Sequence, residues 1–417
     1  MNAKALNPAP AFVRDPRLMR GSNHNGMRQF NERIVLQAIR HHGAIAKADL
    51  ARLTQLSTQT VAIIVNRLLN DGLLVKQAPV RGRIGQPSVP MAINPDGAYS
   101  LGLQVGRRSL EVLVADFLGQ TRHRLQYHYR YPDPDAVLPF IRQGLAEMQA
   151  RMGPDWTRMV GIGLTAPLSM HRWTELLGGE AAPALARWAQ LDLLKEVQGL
   201  TDLPVEFAKD TAAACMAEML QGRGRQVDSF LYIFVGTFVG GGLVMAGQIM
   251  AGPHGNAAAI GSMPVGLAHA PGDAPGKPAQ LLQIASGWQL EQALEQNGFE
   301  PQLVHDDHIM APAYAASTGP WLAQASRALA MAVVSATALL DVSVVVIDGS
   351  LGRPLLDALI AATRDQLQNY NLEGLSAPTL MAGQVGAHAR ALGGAQLPLH
   401  SQFFPVKDIF LKQDLVD

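Results

Sequence analysis

The first hundred residues carry apolar positions at the spacing of three short amphipathic helices. The pattern predicts helices over 31–41, over 47–54 and from Ser57 to about Asp71, with a tight connection before the third. Ser57 is placed to cap the third helix, because its hydroxyl can accept a hydrogen bond from a backbone N–H that the first turn leaves free. The predicted buried face of that helix falls at positions i, i+3, i+4 and i+7: Val61, Ile64, Val65 and Leu68.

A β-hairpin is predicted directly after the third helix. Residues 73–75 and 89–93 flank a basic turn over 81–87 that contains glycine and proline. Three short helices followed by such a hairpin are typical of a winged helix-turn-helix. We place this domain at residues 26–96, behind a flexible N-terminal segment over 1–25.

The outer face of the third helix and the predicted wing carry the candidate DNA-binding residues. When a short turn joins two helices, the second can enter the major groove with its N-terminal residues at the base edges. There Gln59 can pair bidentately with adenine, while arginines in the wing suit a narrow minor groove. A winged helix that docks another protein is the alternative. The candidates are Ser57, Thr58, Gln59, Thr60, Asn66, Arg67, Arg81, Arg83 and Gln86.

From residue 97 onward the pattern changes to strands that alternate with helices, which indicates an α/β body over 97–417. Two sheet-and-helix lobes with a ligand cleft between them fit this pattern. An apolar run over 328–340 is shorter than a bilayer span requires and predicts a buried helix. The predicted strands are 99–105, 110–117, 121–129, 159–164, 205–207, 230–235 and 342–347, and the predicted helices are 136–151, 211–221, 279–296, 321–340 and 354–368.

Composition excludes several classes of protein. The chain has 417 residues, of which 48% are hydrophobic and 16% charged, so it contains enough apolar material for a sizeable core and is not a disordered protein. Cys215 is the single cysteine, which excludes an intramolecular disulfide and a zinc site with several thiolates. The N-terminus has no apolar leader, and we expect a cytoplasmic protein with no membrane partner.

The net charge is zero, but the two ends of the chain differ. Residues 1–96 hold 13 Lys and Arg against 5 Asp and Glu, so the remainder of the chain carries a matching acidic excess. A basic head on an acidic body suggests that a polyanion meets the head alone. A solvated basic surface would give the same count.

Two glycine-rich segments follow predicted strands, at 236–242 and 348–352. Such segments let backbone N–H groups approach a phosphate, but they also form plain tight turns. Neither has a neighbouring lysine or metal-binding carboxylate, so we favour the turn.

These motifs, in their order and spacing, resemble the ROK family of repressors, open reading frames and sugar kinases over roughly residues 26–400. The head segment DLARLTQLSTQTVAIIVNRLLNDGLL is similar to its regulators. The body segments GIGLTAPL at 161–168, LPVEFAKDTAAACMAEMLQG at 203–222 and FVGTFVGGGLVMAGQIMAG at 234–252 are similar to its kinases. The resemblance implies an actin-like or hexokinase-like two-lobed ATPase-type body, a DNA-binding head, a homo-oligomer and the control of carbohydrate genes by a sugar or its phosphate.

The body departs from the kinase pattern at the residues that handle phosphate and metal. Where the resemblance places an Asp-x-Gly-Gly-Thr loop, residues 104–108 read Gln-Val-Gly-Arg-Arg. The Glu-Asn-Asp segment becomes Ala208-Lys209-Asp210, in which Asp210 matches the catalytic base but stands alone. The sugar-binding Glu and His become Ala259 and Ser262, the zinc-binding His and three Cys are missing, and Asp348 adds an anion on the nucleotide side.

Phosphoryl transfer depends on metal, positioning and charge neutralisation, which one carboxylate does not supply. We therefore predict that Asp210 is a vestige of the base in a catalytically inactive body, with no metal and no cofactor. Two roles fit Lys209 and Asp210 equally well: a structural ion pair with each other, or contact with a ligand. The predicted effector pocket consists of Thr165, Lys209, Asp210, Gly240, Gly241 and Ser262.

Three functions fit this sequence. The first is a DNA-binding transcriptional repressor of carbohydrate-related genes, acting on double-stranded DNA as a homodimer or tetramer and responding to a sugar or sugar derivative. The second is an active ATP-dependent sugar kinase that retains a DNA-binding head. The third is a DNA-bound architectural dimer with no effector.

Overall fold

A computed structural model describes residues 24–79, 88–168, 170–173, 179–266 and 278–405. The chain divides into two compact units. The first unit comprises residues 1–164, 169–207 and 394–417, and the second comprises 165–168 and 208–393. The head and the first sheet of the body therefore belong to one unit.

The head is a winged helix-turn-helix, as predicted. Its strands form an antiparallel three-stranded sheet in the order β1-β3-β2. The first helix begins seven residues before its predicted start, because its polar first turns have no apolar stripe to mark them. The elements are α1 His24–His42, β1 Ala44–Ile45, α2 Lys47–Thr54, α3 Thr58–Asn70, β2 Leu74–Lys76 and β3 Met91–Ile93.

The first unit continues with a five-stranded sheet in the order β6-β5-β4-β7-β8. The strand β4 is buried along its whole length and β5 is buried after its first residue, whereas β6 alternates between exposed and half-buried positions, as its sequence predicts. The elements are β4 Tyr99–Val105, β5 Ser109–Asp116, β6 Thr121–His128, α4 Pro134–Met152, β7 Met159–Ala166, α5 Ala181–Arg187, α6 Leu193–Gln198 and β8 Val205–Lys209.

The second unit is built on a five-stranded sheet in the order β11-β10-β9-β12-β13. The strands β9 and β10 are antiparallel, and β12 runs parallel to both of its neighbours. The elements are α7 Asp210–Gln221, β9 Phe230–Val235, β10 Val239–Met245, β11 Gln248–Ile249, α8 Leu281–Ala285, α9 Gly287–Gln296, α10 Ala315–Leu340, β12 Val344–Gly349, α11 Arg353–Leu367, β13 Thr379–Ala382 and α12 Ala389–Phe403, the last of which ends in the first unit.

The prediction of a single helix over 279–296 is wrong, because the helix is interrupted at Ser286. That residue has an extended backbone, and its hydroxyl accepts a hydrogen bond from Val239 N at 3.0 Å. Its carbonyl oxygen accepts a second hydrogen bond from Trp321 Nε1 at 3.0 Å. Tertiary partners thus hold Ser286 outside the helical conformation and separate α8 from α9.

The predicted length of the long apolar helix was too short. The helix α10 has 26 residues and includes Pro320, which a sequence rule places at the start of a helix. By length and composition this helix could cross a membrane, but half of its most apolar window is buried inside the protein. Trp321, Leu329 and Val333 lie in the hydrophobic core of the second unit, as the predicted buried helix requires.

The first glycine-rich segment is mostly a strand rather than a loop. Gly240, Gly241 and Gly242 belong to β10 and pair with β9. A Cβ atom on Gly240 would lie 2.6 Å from the Cγ2 atom of Thr211 in α7. These glycines therefore let a helix pack closely on the sheet. The second segment begins inside β12, which ends at Gly349.

The core of the head extends to apolar residues that lie beside the first sheet. Apolar residues of α1 and α3 share one cluster with Phe117 and Leu399, and Phe403 packs against it. Arg40 lies in the same junction, with its Cζ atom 4.2 Å from the ring centroid of Phe404 and 5.2 Å from that of Phe117. Burial lowers the pKa of Arg40 to about 10.

Candidate functional site

The recognition helix α3 begins with the predicted cap. Ser57 has an extended backbone, and its Oγ atom accepts a hydrogen bond from Thr60 N at 3.0 Å. The hydroxyl groups of Ser57 and Thr60 also lie 2.8 Å apart. The cap fixes the first turn and engages both hydroxyls within the protein.

The face of α3 opposite the head's core is open to solvent. Val61, Ile64, Val65 and Leu68 are buried, as the spacing predicts. Thr58, Gln59, Ile63, Asn66 and Arg67 are exposed. The structure thus gathers five outward side chains on one helix, four of which are candidates for DNA contact.

Two of these candidates already have partners within the head. Arg67 Nη1 lies 3.0 Å from Glu32 Oε1 of α1, and its Nε atom lies 3.9 Å from Asp71 Oδ2. Asn66 Oδ1 accepts a hydrogen bond from Lys47 Nζ at 2.9 Å. Lys47 was not among the sequence candidates, because only the turn between α2 and α3 brings it to the recognition helix.

The wing candidates Arg81, Arg83 and Gln86 lie outside the described residues. The strands that flank them, β2 and β3, pair antiparallel with Val75 opposite Ala92. The hairpin is therefore confirmed on its strand pairing, and the contacts of its tip remain a prediction.

In the second unit, Asp210 begins α7 and has an ion-pair partner that the sequence did not indicate. Arg390 Nη1 lies 3.6 Å from Asp210 Oδ2, and the guanidinium of Arg390 lies 5.0 Å from the ring centroid of Phe234. Asp210 Oδ1 accepts a hydrogen bond from Thr211 N at 2.8 Å. Because 180 residues of sequence separate the two charges, neither spacing nor motif could have paired them.

The pocket candidate Lys209 contacts the strand β10, to which the candidates Gly240 and Gly241 belong. Lys209 Nζ lies 3.4 Å from Gly241 O, the same oxygen that accepts a hydrogen bond from Thr211 Oγ1 at 3.0 Å. Burial lowers the pKa of Lys209, and the nearby Asp210 opposes that shift. Thr165 is fully buried and donates to Arg390 O at 3.4 Å, whereas Ser262 is exposed.

The carboxylate of Asp348 has a structural role in the second unit. It is fully buried and accepts hydrogen bonds from Gly349 N, from Gly386 N and from the hydroxyl of Tyr232. Burial raises the pKa of Asp348, against the lowering effect of those N–H donors. The carboxylate therefore fastens the segment after β13 to the sheet. Among the described residues, no group of three or more His, Cys, Asp or Glu could hold a metal ion.

Two family models match this chain. The model of the ROK family matches residues 100–400, and that of the MarR family matches residues 29–84. The uncharacterized protein y4fQ of Sinorhizobium fredii is 25% identical over 375 residues, which cover 90% of this chain and 92% of that protein. The xylose repressor of Caldicellulosiruptor bescii is 24% identical over 242 residues, which cover 57% of this chain and 59% of that repressor.

Solved structures share the fold. A ROK family transcriptional regulator, homologous to the MLC protein of E. coli, superposes with a TM-score of 0.64 at 20% identity, over 91% of this chain and 98% of that one. A ROK family glucokinase from Streptomyces griseus, solved with glucose and AMPPNP, superposes with a TM-score of 0.56 at 20% identity, over 72% of this chain and 99% of that one. The body therefore has the predicted hexokinase-like fold.

Proposed function

Because the chain belongs to the ROK family, we propose that it is a DNA-binding repressor of carbohydrate-related genes whose kinase-like body senses a ligand and transfers no phosphate. The observation that carries this proposal is the capped recognition helix, which presents Thr58 and Gln59 to solvent in a head of the MarR type. Several relatives are xylose repressors, which favours repression and a carbohydrate setting.

The charge of the head supports DNA as its partner. The basic excess of residues 1–96 would release counterions from a duplex, and Lys47 adds a cation next to the recognition helix. In a homodimer or tetramer, two such heads would read half-sites spaced by about one helical turn of DNA. We place this complex in the cytoplasm.

The residues at the phosphate-handling positions of the body support the loss of phosphoryl transfer. Kinases of this general kind position metal and nucleotide with carboxylates, whereas Arg107 and Arg108 stand in the corresponding turn here. Asp210 is paired with Arg390, which occupies one of its carboxylate oxygens. The carboxylate and the two nearby cations offer an acceptor and donors to a hydroxyl-rich ligand, so we assign the effector to this group.

Regulation requires that the ligand bind one conformation of the protein more tightly than another. A sugar or sugar derivative held at Lys209, Asp210 and Arg390 would shift the population toward the conformation it prefers. An effector that lowers affinity for DNA would then relieve repression. A protein whose DNA affinity no ligand changes would instead be an architectural dimer.

The decisive experiment compares binding to the promoter region of the protein's own locus with binding to random DNA at one fixed salt concentration. We expect the promoter to be favoured by at least about 10³-fold, the lower end for specific regulators. A genome-wide map of bound sites then identifies the operator and the neighbouring genes. Equal affinity for the two DNAs would contradict specific regulation.

The rival kinase function is tested by ATP turnover across a panel of sugars, with Asp210→Asn as the matched variant. We expect no turnover above that of Asp210→Asn and no binding of Mg-ATP by calorimetry. Turnover that disappears in Asp210→Asn would establish the kinase, because the variant removes only the charge and the proton acceptor.

A further inference from the structure

The recognition helix carries an exposed aliphatic side chain in the middle of its outward face. Ile63 is 63% exposed, and it lies on the side of α3 opposite Val61, Ile64, Val65 and Leu68. Gln59 lies four residues before Ile63 and Arg67 four residues after it, so these side chains are neighbours along the helix surface.

The polar neighbours of Ile63 are largely engaged within the head. Ser57 and Thr60 serve the cap, Arg67 pairs with Glu32, and Asn66 Oδ1 accepts from Lys47. The side-chain oxygen of Asn66 is therefore already hydrogen-bonded, and its side-chain N–H groups remain available as donors. Thr58, Gln59 and Ile63 are outward side chains that make no such contact with the part of the head that the structure describes.

Within the described part of the head, the exposed position of Ile63 gives folding no reason to require isoleucine. A β-branched residue lowers helix propensity slightly, and an exposed one gains little from burial. In the major groove, however, an aliphatic side chain can make an apolar contact, because thymine alone among the four bases presents a methyl group there.

We propose that Ile63 is a specificity-determining residue that contacts the C5-methyl group of a thymine in the operator, an inference that rests on the proposed DNA-binding function. Gln59 precedes it by one turn, which corresponds to about 6 Å along the helix axis. An adenine read by Gln59 and the thymine read by Ile63 therefore fall within one half-site, about two base-pair steps apart.

The test replaces single thymines of the mapped operator by deoxyuridine, which keeps base pairing and the O4 acceptor but lacks the methyl group. For the wild-type protein we expect one position in each half-site at which this replacement weakens binding about fourfold, the factor for one buried methyl or methylene group. Ile63→Ala should bind the thymine and deoxyuridine operators equally.

The matched control is Leu53→Ala, which truncates another exposed aliphatic residue of the head, on α2. It should leave the deoxyuridine penalty unchanged. Urea denaturation of Ile63→Ala should match that of the wild type, because the side chain is exposed, and a normal denaturation midpoint excludes misfolding as the cause of any change.

Two results would overturn the assignment while the proposed function stands. One is specific operator binding with no deoxyuridine penalty at any position, and the other is a penalty that persists at full size in Ile63→Ala. Equal binding of wild-type protein to operator and random DNA would overturn both the assignment and the proposed function.

Discussion

His400 is half-buried at the junction of the head with the first sheet. Its ring stacks on Phe404 with the centroids 4.8 Å apart. Burial, together with the positive charges of Arg40 and Arg33, lowers the pKa of His400 from an ordinary value of 6.5 to about 4. The imidazole is therefore neutral in the folded protein at neutral pH.

This shift predicts acid sensitivity. Between about pH 6.5 and pH 4 the unfolded chain binds a proton at His400 that the folded protein does not, so the free energy of unfolding falls as the pH drops through that window. The slope from this one proton approaches about 1.4 kcal/mol per pH unit and ends below about pH 4. Urea denaturation across the window measures it.

Replacement of His400 by Gln should remove that component of the slope. The matched control is His41→Gln, since His41 is exposed at the end of α1. If His400→Gln retains the full pH dependence of the wild type, the proton is taken up elsewhere.

Ser57 allows stability and DNA affinity to be separated at one position. Ser57→Ala should lower the free energy of unfolding by about 0.5–2 kcal/mol, because Thr60 N loses the acceptor that caps α3. Ser57→Asp should keep the cap and so the stability, but it should weaken DNA binding through the added negative charge. Urea denaturation and salt-dependent DNA binding give the two readouts, and equal stability of the Ala and Asp variants would contradict the cap.

At the scale of elements, the strand β7 and the helix α12 meet backbone to backbone. A Cβ atom on Gly163 would overlap the carbonyl group of Gly394. This contact requires a glycine for lack of space, since Gly163 has no positive φ.

Gly163→Ala should therefore destabilise the protein by about 1–3 kcal/mol or more, because the strand and the helix must separate to admit a methyl group. The control is Gly199→Ala, at an exposed glycine whose added Cβ would meet only ordinary contacts at 3.5 Å. That substitution should be neutral or stabilise the protein by about 0.4–1 kcal/mol. Thermal denaturation of both variants provides the comparison, and equal melting temperatures would show that the strand and helix yield without cost.

Local pattern predicted those elements whose shape is set by their own residues. The helix α2, the cap of α3 and the strands β4 and β9 lie where the sequence places them. The break at Ser286 was missed because distant groups, Val239 N and Trp321 Nε1, hold it. The pair of Asp210 with Arg390 was missed for the same reason, as their contact exists only after folding.

At the scale of the whole molecule, the head is joined to the first sheet by stacked cationic and aromatic side chains. Arg40 lies over the rings of Phe117 and Phe404, and Arg33 Nη1 donates to Phe404 O at 3.1 Å. Residues of α1 thus contact Phe404, which directly follows α12.

A double-mutant cycle of Arg40→Met with Phe404→Leu should give a coupling energy of about 0.5–2 kcal/mol, the range for a partly desolvated cation–π contact. The matched cycle of Arg33→Met with Phe404→Leu should give almost none, because Arg33 contacts the backbone oxygen that leucine retains. Urea denaturation supplies all the free energies, and equal coupling in the two cycles would mean that the ring makes no special contribution.

The shared core also bears on how such regulators can be recombined. Phe117 and Leu399 complete the apolar interior of the head, although they lie far outside residues 26–96 in sequence. In a chimaera with a foreign DNA-binding head joined at residue 96, that head would pack against Phe117 and Leu399, which fit different side chains. A successful graft must therefore also transfer Phe117 and Leu399. The unit that can be exchanged between regulators is longer and less contiguous in sequence than the segment that contacts the operator.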